Sequence, residues 1–246
     1  MRKYGWKPDK PDHRDRLFTF DASNLPAAVD LRQWAPTVMD QGELGSCTAH
    51  GITGALRLNK TKLGQNADPC SRLQLYYDER ALEGTTRSDS GAEIRDGIKT
   101  LAKKGVAPET LWPYDISKFT KKPTKKVYTA ALHEQALTYE SVIVVASALK
   151  AALADGHAVI IGISVFESFE NDDVAKTGIV PMPGVQESML GGHCMYVVGY
   201  GQKPGYFTVR NSWGDSWGDR GDCYIPEGYL GSSRFGSDYW IIKTQE

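Results

Sequence analysis

A chain of 246 residues is long enough for one large domain or two tightly packed lobes. Hydrophobic content of 41% and charged content of 24% are those of an ordinary globular protein. The net charge of −1 gives no general attraction to nucleic acid or anionic lipid, and no run approaches the roughly 20 apolar residues that cross a bilayer.

Residues 1–24 are polar, carry Pro8 and Pro11, and read as an extended leader. Their basic start is not followed by an apolar core, so no standard secretory signal is expected. The globular part is predicted to run over 25–246, beginning at "LPAAVDLRQW". In "DQGELGSCTAHG" (40–51), Gly42 and Gly45 mark a turn, and Ser46 is placed to cap a helix over 47–60. That places Cys47 at a helix N-terminus, where the dipole and free N–H groups favour a thiolate. "SRLQLYYDERAL" (71–82) and "GAEIRDGIKTLAKKG" (91–105) are predicted as two more helices. The lysines at 118, 121, 122, 125 and 126 read as a solvated connecting loop. "ESVIVVASALKAALADGHAVIIGISVF" mixes strand, helix and strand, and "HCMYVVGYG", "GYFTVRNSW", "DCYIP" and "DYWIIK" follow as strands. A helical first half (mainly 40–115) and a strand-rich second half (mainly 140–246) predict an α+β fold in two lobes.

Four cysteines, at 47, 70, 194 and 223, form no C-x-x-C pair. Neither a zinc site nor a disulfide scaffold is expected, and the thiols are expected to be mostly reduced. Cys47 needs a base and a group to orient it. His50 lies one turn on along the same helix, where packing is the expected role; His13, His133 and His157 have no supporting motif. His193 follows two glycines at the start of an apolar strand, in "GGHCMYVVGYG", and Asn211 comes eighteen residues later in "RNSWGDSWGDRG". An asparagine carbonyl accepting from one imidazole nitrogen leaves the other for the sulfur. Gln41, six residues before Cys47, can donate its amide to an oxyanion together with the Cys47 N–H.

The ordered set of Gln, Cys, His and Asn-Ser-Trp-Gly resembles the papain family of cysteine peptidases. The resemblance covers residues 25 to about 228 through "LPAAVDLR", "QGELGSC", "GGH", "VGYG" and "NSWGDSWGDRG". It implies a papain-like fold in which a helical lobe and an antiparallel β-barrel-like lobe flank a cleft. It implies Cys47 as nucleophile, His193 as base and acid, Asn211 as its orienter and Gln41 as oxyanion donor. Trp213 would shield the His–Asn bond, and the Gly91 backbone would pair with substrate as a short strand. Gly45, Ser90, Gly191, Gly192, Cys194 and Ser237 would border the substrate, with an apolar or aromatic side chain expected in the main pocket.

The activity so implied is hydrolysis of peptide bonds through a thioester, as an endopeptidase and a monomer, with no metal or organic cofactor. A peptide-binding protein without catalysis and a transamidase or deamidase using the same residues are the alternatives. Leu44 and Ser88 stand where secreted members carry a disulfide; a reducing, cytoplasmic compartment is favoured, with non-standard secretion as the other route. Thr48 replaces the usual aromatic after the nucleophile, and Ser90 replaces a glycine and is expected to narrow the cleft. "GSCTA" and the short leader resemble bacterial and viral-type relatives more than plant or lysosomal ones. The leader carries Tyr4, Trp6, Leu17, Phe18 and Phe20, and is expected either to lie along the cleft and limit access, as in a zymogen, or to pack elsewhere.

Overall fold

The computed structural model describes residues 3–132 and 138–244. His133 lies outside the described residues. The leader is extended and begins with β1 (Trp6–Lys7); β2 (Val29–Asp30) opens the globular part. Three helices follow: α1 (Cys47–Lys62), α2 (Arg72–Glu83) and α3 (Ile94–Lys104), the last preceded by β3 (Ala92–Glu93). The remainder comprises α4 (Lys125–Ala131), β4 (Thr138–Val142), α5 (Ala146–Ala154), β5 (Val159–Phe166), α6 (Asp172–Thr177), β6 (Met189–Tyr200), β7 (Tyr206–Arg210), β8 (Asp222–Pro226), α7 (Glu227–Leu230) and β9 (Gly236–Lys243). The fold is the expected α+β, helices first and strands after. Among the described residues no helix is long and apolar enough to cross a membrane.

Six strands of the large sheet are ordered β4-β9-β5-β6-β7-β8, with β2 paired to β6, and every pairing in it is antiparallel. Among the described strands the sheet stays open rather than closing into a barrel. Its central strands are near-continuous apolar runs because both faces are covered; in β5, Val159 to Ile163 are all buried. On β6 the side chains of Cys194 and Tyr196 share one face, and that face meets α1.

The α1–β6 contact sets the distance between the two lobes. Gly51 and Gly54 occupy the helix face turned to the strand. A Cβ on Gly51 would lie 2.9 Å from the Cys194 sulfur, and one on Gly54 would lie 2.5 Å from the Tyr196 ring. The helix can approach the strand closely only because these side chains are missing. Cys47 sits at the N-terminal end of this seam and is fully buried. Leu44 and Ser46 precede it, also buried, so the turn that delivers the cysteine is itself part of the core.

Ser46 does not cap α1 as the sequence suggests. Its hydroxyl is 2.6 Å from the Tyr114 hydroxyl and makes no capping bond. Ser71 does cap α2, accepting from the Gln74 N–H, and Gly84 ends that helix in the left-handed conformation.

Replacing Gly54 by valine forces branched carbon into the Tyr196 ring. It is expected to lower stability by about 1–3 kcal/mol, as overpacking does. A urea unfolding midpoint equal to wild type would mean that the seam is looser than described.

Candidate active site

The first turn of α1 brings Cys47 to the cleft, β6 brings His193, and the loop after β7 brings Asn211, Ser212 and Trp213. His193 Nε2 lies 2.8 Å from Asn211 Oδ1. The same oxygen accepts from the Ser212 backbone N–H at 2.8 Å. Only the carbonyl end of the asparagine can accept from an amide, so its orientation is fixed, and Nε2 must be the protonated nitrogen of a neutral ring. Nδ1 is thereby left unprotonated. Trp213 stacks on the imidazole with ring centres 4.9 Å apart and is 3% exposed, so it covers the His–Asn bond.

Gln41 is fully buried and is held the same way. The Ser212 hydroxyl donates to Gln41 Oε1 at 2.7 Å, and Gln41 Nε2 donates to the Leu44 carbonyl at 2.9 Å. Tyr114 donates to the Gln41 backbone carbonyl at 2.8 Å. Ser212, which the sequence presents only as the second letter of Asn-Ser-Trp-Gly, thus touches both polar side chains of the site. His50 is a packing residue, as expected. Its Nδ1 is 2.9 Å from the Ser46 carbonyl and its Nε2 is 3.0 Å from Arg72, and burial with the arginine charge pushes its pKa down to about 3.

The leader runs through the cleft. The Lys3 carbonyl accepts from Gln41 Nε2 at 3.0 Å. The Tyr4 ring meets His193 and Trp213 edge-on at 6.0 and 6.3 Å, and its hydroxyl bonds Glu170. Gly5 lies against Gly45 on one side and Gly91 on the other. A Cβ on Gly5 would overlap the Gly45 carbonyl, and one on Gly91 would overlap the Gly5 carbonyl. The Ala92 N–H donates to the Gly5 carbonyl at 2.7 Å, and β1 then pairs in parallel with β3. The edge beside Gly91 therefore accepts a strand, and that strand belongs to the chain itself. Gly91 is at φ +67°, and its own N–H takes no part in the ladder but donates to the Tyr76 hydroxyl at 3.1 Å.

Further along, the Trp6 indole fills a pocket walled by Gly162 and Gly192, where a Cβ on either would run into it. Gly191 lies under Tyr4. Cys194 is buried with its sulfur on Gly51 of α1. Ser237 supports Asp238, which receives the indole N–H at 3.1 Å and the Asp9 backbone N–H at 2.8 Å. The sequence pattern marked Ser237 and missed Asp238; no motif distinguishes it.

Three expectations need correction. The thiolate-favouring groups at Cys47 are outweighed in this state: burial pushes its pKa up to about 12, against the pull of the Cys194, Gly5 and Thr48 N–H groups. Ser90 does not narrow the cleft, because its hydroxyl is held by Thr85 at 2.8 Å and the Gly91 carbonyl at 3.0 Å. Thr48 is not merely a lost aromatic; it donates at 2.7 Å to Glu79, a carboxyl whose pKa burial drives well up. All four cysteines are buried thiols. Among the described residues no group of three histidine, cysteine or acidic side chains could hold a metal ion.

The family model for papain family cysteine proteases matches residues 25–232. An uncharacterized peptidase C1-like protein of Acanthamoeba polyphaga mimivirus is 38% identical over 270 residues, covering 98% of this chain and 87% of that protein. The crystal structure of xylellain, a cysteine protease from Xylella fastidiosa, shares 36% identity and a TM-score of 0.92, covering 100% of this chain and 98% of its own. Digestive procathepsin L 3 of Tenebrio molitor larval midgut has a TM-score of 0.74 at 19% identity, covering 98% of this chain and 75% of its own, a likeness of fold alone. With the family model matched over residues 25–232 and one viral and one bacterial relative aligned along almost its whole length, the chain belongs to the papain family of cysteine proteases.

Proposed function

We propose that this protease is a latent endopeptidase in which Cys47 is the nucleophile and residues 3–10 block the cleft until they are displaced. The observation that carries the reading is the Lys3 carbonyl on the Gln41 amide: a peptide carbonyl already sits on the donor reserved for the oxyanion. With the leader gone, His193 Nδ1 takes the Cys47 proton and the sulfur attacks a substrate carbonyl carbon. Gln41 Nε2 and the Cys47 N–H hold the resulting oxyanion. The intermediate collapses as His193 gives its proton to the departing amine, leaving a thioester. Water, deprotonated by His193, then attacks the thioester and returns a carboxylate and the free thiol. Asn211 keeps the imidazole in the tautomer that both steps need, and Ser212 keeps the Gln41 amide facing the reacting carbonyl.

The latency follows from sterics and solvation together. The backbone of Gly5 occupies the space between Gly45 and Gly91 that a substrate backbone would need. It also removes water from Cys47, so the sulfur stays a neutral thiol at neutral pH.

Gly5→Val cannot enter the slot between the two glycines. The full-length variant is expected to hydrolyse unstructured protein substrates at least about tenfold faster than wild type, as release of a masked site requires. Equal turnover in the two chains would sink the latent reading, and Gly5→Val/Cys47→Ala is the blank.

In the Gly5→Val background, Gln41→Ala is expected to lower kcat by about 10²–10³ with a smaller change in KM, the signature of a lost oxyanion donor. A change confined to KM would assign Gln41 to ground-state binding.

Docking of the leader also titrates. Burial, with the Asp238 carboxyl beside it, raises Asp9 from 3.8 to about 7, against the opposing pull of Arg95. The docked state thus holds the Asp9 proton more tightly than a free leader does. Its contribution to docking is full below the ordinary aspartate range and fades as pH rises through about 7. The ratio of Ala92 amide exchange in Asp9→Ala to that in wild type is expected to fall between about pH 5 and about pH 8. A ratio independent of pH would contradict this.

A further inference from the structure

We propose that a small cavity where the two lobes meet, behind Asn211 and Ser212, binds one halide ion, chloride in ordinary solution, between Arg57 of α1 and Arg210 of β7. The peptidase chemistry makes no use of this cavity, so the inference stands apart from the function proposed above.

The cavity has a volume of about 20 Å³. One water needs about 10–15 Å³ of such space, so there is room for a single ion somewhat larger than water and not for a phosphate or sulfate. Its lining comes from both lobes: Gly51, Gly54 and Arg57 of α1 on one side, Tyr196 of β6 and Arg210 of β7 on the other. Three arginines line it, the third being Arg72 of α2, and no acidic residue does so among the described residues. Arg57 and Arg72 are 9% and 7% exposed.

The three guanidinium groups differ in how their charge is met. Arg72 donates from Nε to Glu109 Oε2 at 2.8 Å and from Nη2 to Oε1, so both oxygens of that carboxylate are taken. Its Nη1 lies on His50 Nε2. Arg210 holds both oxygens of Asp222 in the same forked way, and its Nη1 donates to the Pro36 carbonyl at 2.6 Å. Arg57 gives its Nε–H to the Ala67 carbonyl at 2.9 Å, and among the described residues no carboxylate pairs with it.

Neighbouring groups do not supply the missing charge. The Cys70 thiol donates to the Asp68 carbonyl at 3.7 Å and therefore keeps its proton. His50 is neutral near pH 7, and a neutral ring adds no negative charge. Three cations against two carboxylates leave one positive charge over, and it sits on a side chain that is nine-tenths buried. Such a charge is costly to a fold, and an arginine cannot shed its proton to escape the cost. A water molecule can accept from the Arg57 N–H groups but leaves the charge unanswered. A halide answers both. The Tyr196 hydroxyl adds a further donor: Arg210 donates to its oxygen, which leaves its own proton for the ion. The ion thereby ties α1 to β6 and β7, beside the close contact that Gly51 and Gly54 allow.

The test has two arms, both on the full-length chain. The first compares thermal unfolding in sodium chloride and in sodium gluconate at equal ionic strength and pH. The wild-type Tm is expected to be at least about 3 °C higher in chloride, as a ligand that binds only the folded state requires. Sodium bromide is expected to match chloride. Arg57→Met, which keeps the length and apolar stem of the side chain, is expected to shrink the difference to within about 1 °C. Equal wild-type values in the two salts, or a difference that Arg57→Met keeps, would overturn the proposal.

The second arm needs no variant, so it stands even if Arg57→Met fails to fold. Wild-type crystals soaked in sodium bromide are measured at the bromine absorption edge. The expected result is an anomalous peak inside the cavity, in hydrogen-bond contact with Arg57. Bromide peaks confined to the molecular surface would also overturn the proposal.

Discussion

The three-glycine contact of Gly5 with Gly45 and Gly91 is the constraint on which the rest of the site depends. A Cβ on Gly5 would overlap the Gly45 carbonyl and one on Gly91 the Gly5 carbonyl, while one on Gly45 would lie 3.0 Å from the Asp89 carboxylate. The leader backbone therefore passes close to Cys47, whose sulfur receives the Gly5 N–H. From that contact follow the Lys3 carbonyl on Gln41, the parallel pairing of β1 with β3, and the placing of Trp6 and Asp9 over Asp238. All of these contacts are made by one short stretch of chain, residues 3–9.

The contact also sets an ordered polar frame beside a sulfur whose pKa burial pushes up. The polar frame is complete: two carboxamides fixed by one serine, an imidazole fixed by one of them, and a tryptophan over the ring. What is missing is water and space at the sulfur. A helix N-terminus lowers a thiol pKa only where the charged form is not heavily desolvated, and at Cys47 burial is the larger effect. In the proposed latent reading, preorganisation belongs to the two lobes and masking to the leader.

Much of this was legible in the sequence. The helix predicted over 47–60 is found at Cys47–Lys62, "DCYIP" is a strand from end to end, and Asn211 meets His193 as its spacing suggested. These features depend on local period and on motif order, which one sequence displays. Other features do not. Ser46 looks like a helix cap, yet Tyr114, 68 residues away, takes its hydroxyl. Ser90 looks like an obstruction, yet Thr85 draws it aside. Asp238 carries no motif, and Gly5 is one glycine among many until the fold sets it between two others. Ser90 apart, whose partner Thr85 is near but in no recognisable motif, the deciding partner is distant in sequence, so composition and spacing hold no trace of it.

The most direct test of the masked sulfur is the pH dependence of Cys47 alkylation by iodoacetamide, followed by intact mass in wild-type chain and in Gly5→Val. If the leader desolvates the sulfur, the wild-type rate stays low through neutral pH and rises only toward strongly alkaline pH, whereas Gly5→Val reacts readily near neutrality. Identical profiles with reaction already complete at neutral pH in wild type would show that the leader does not control Cys47, and would contradict the central claim.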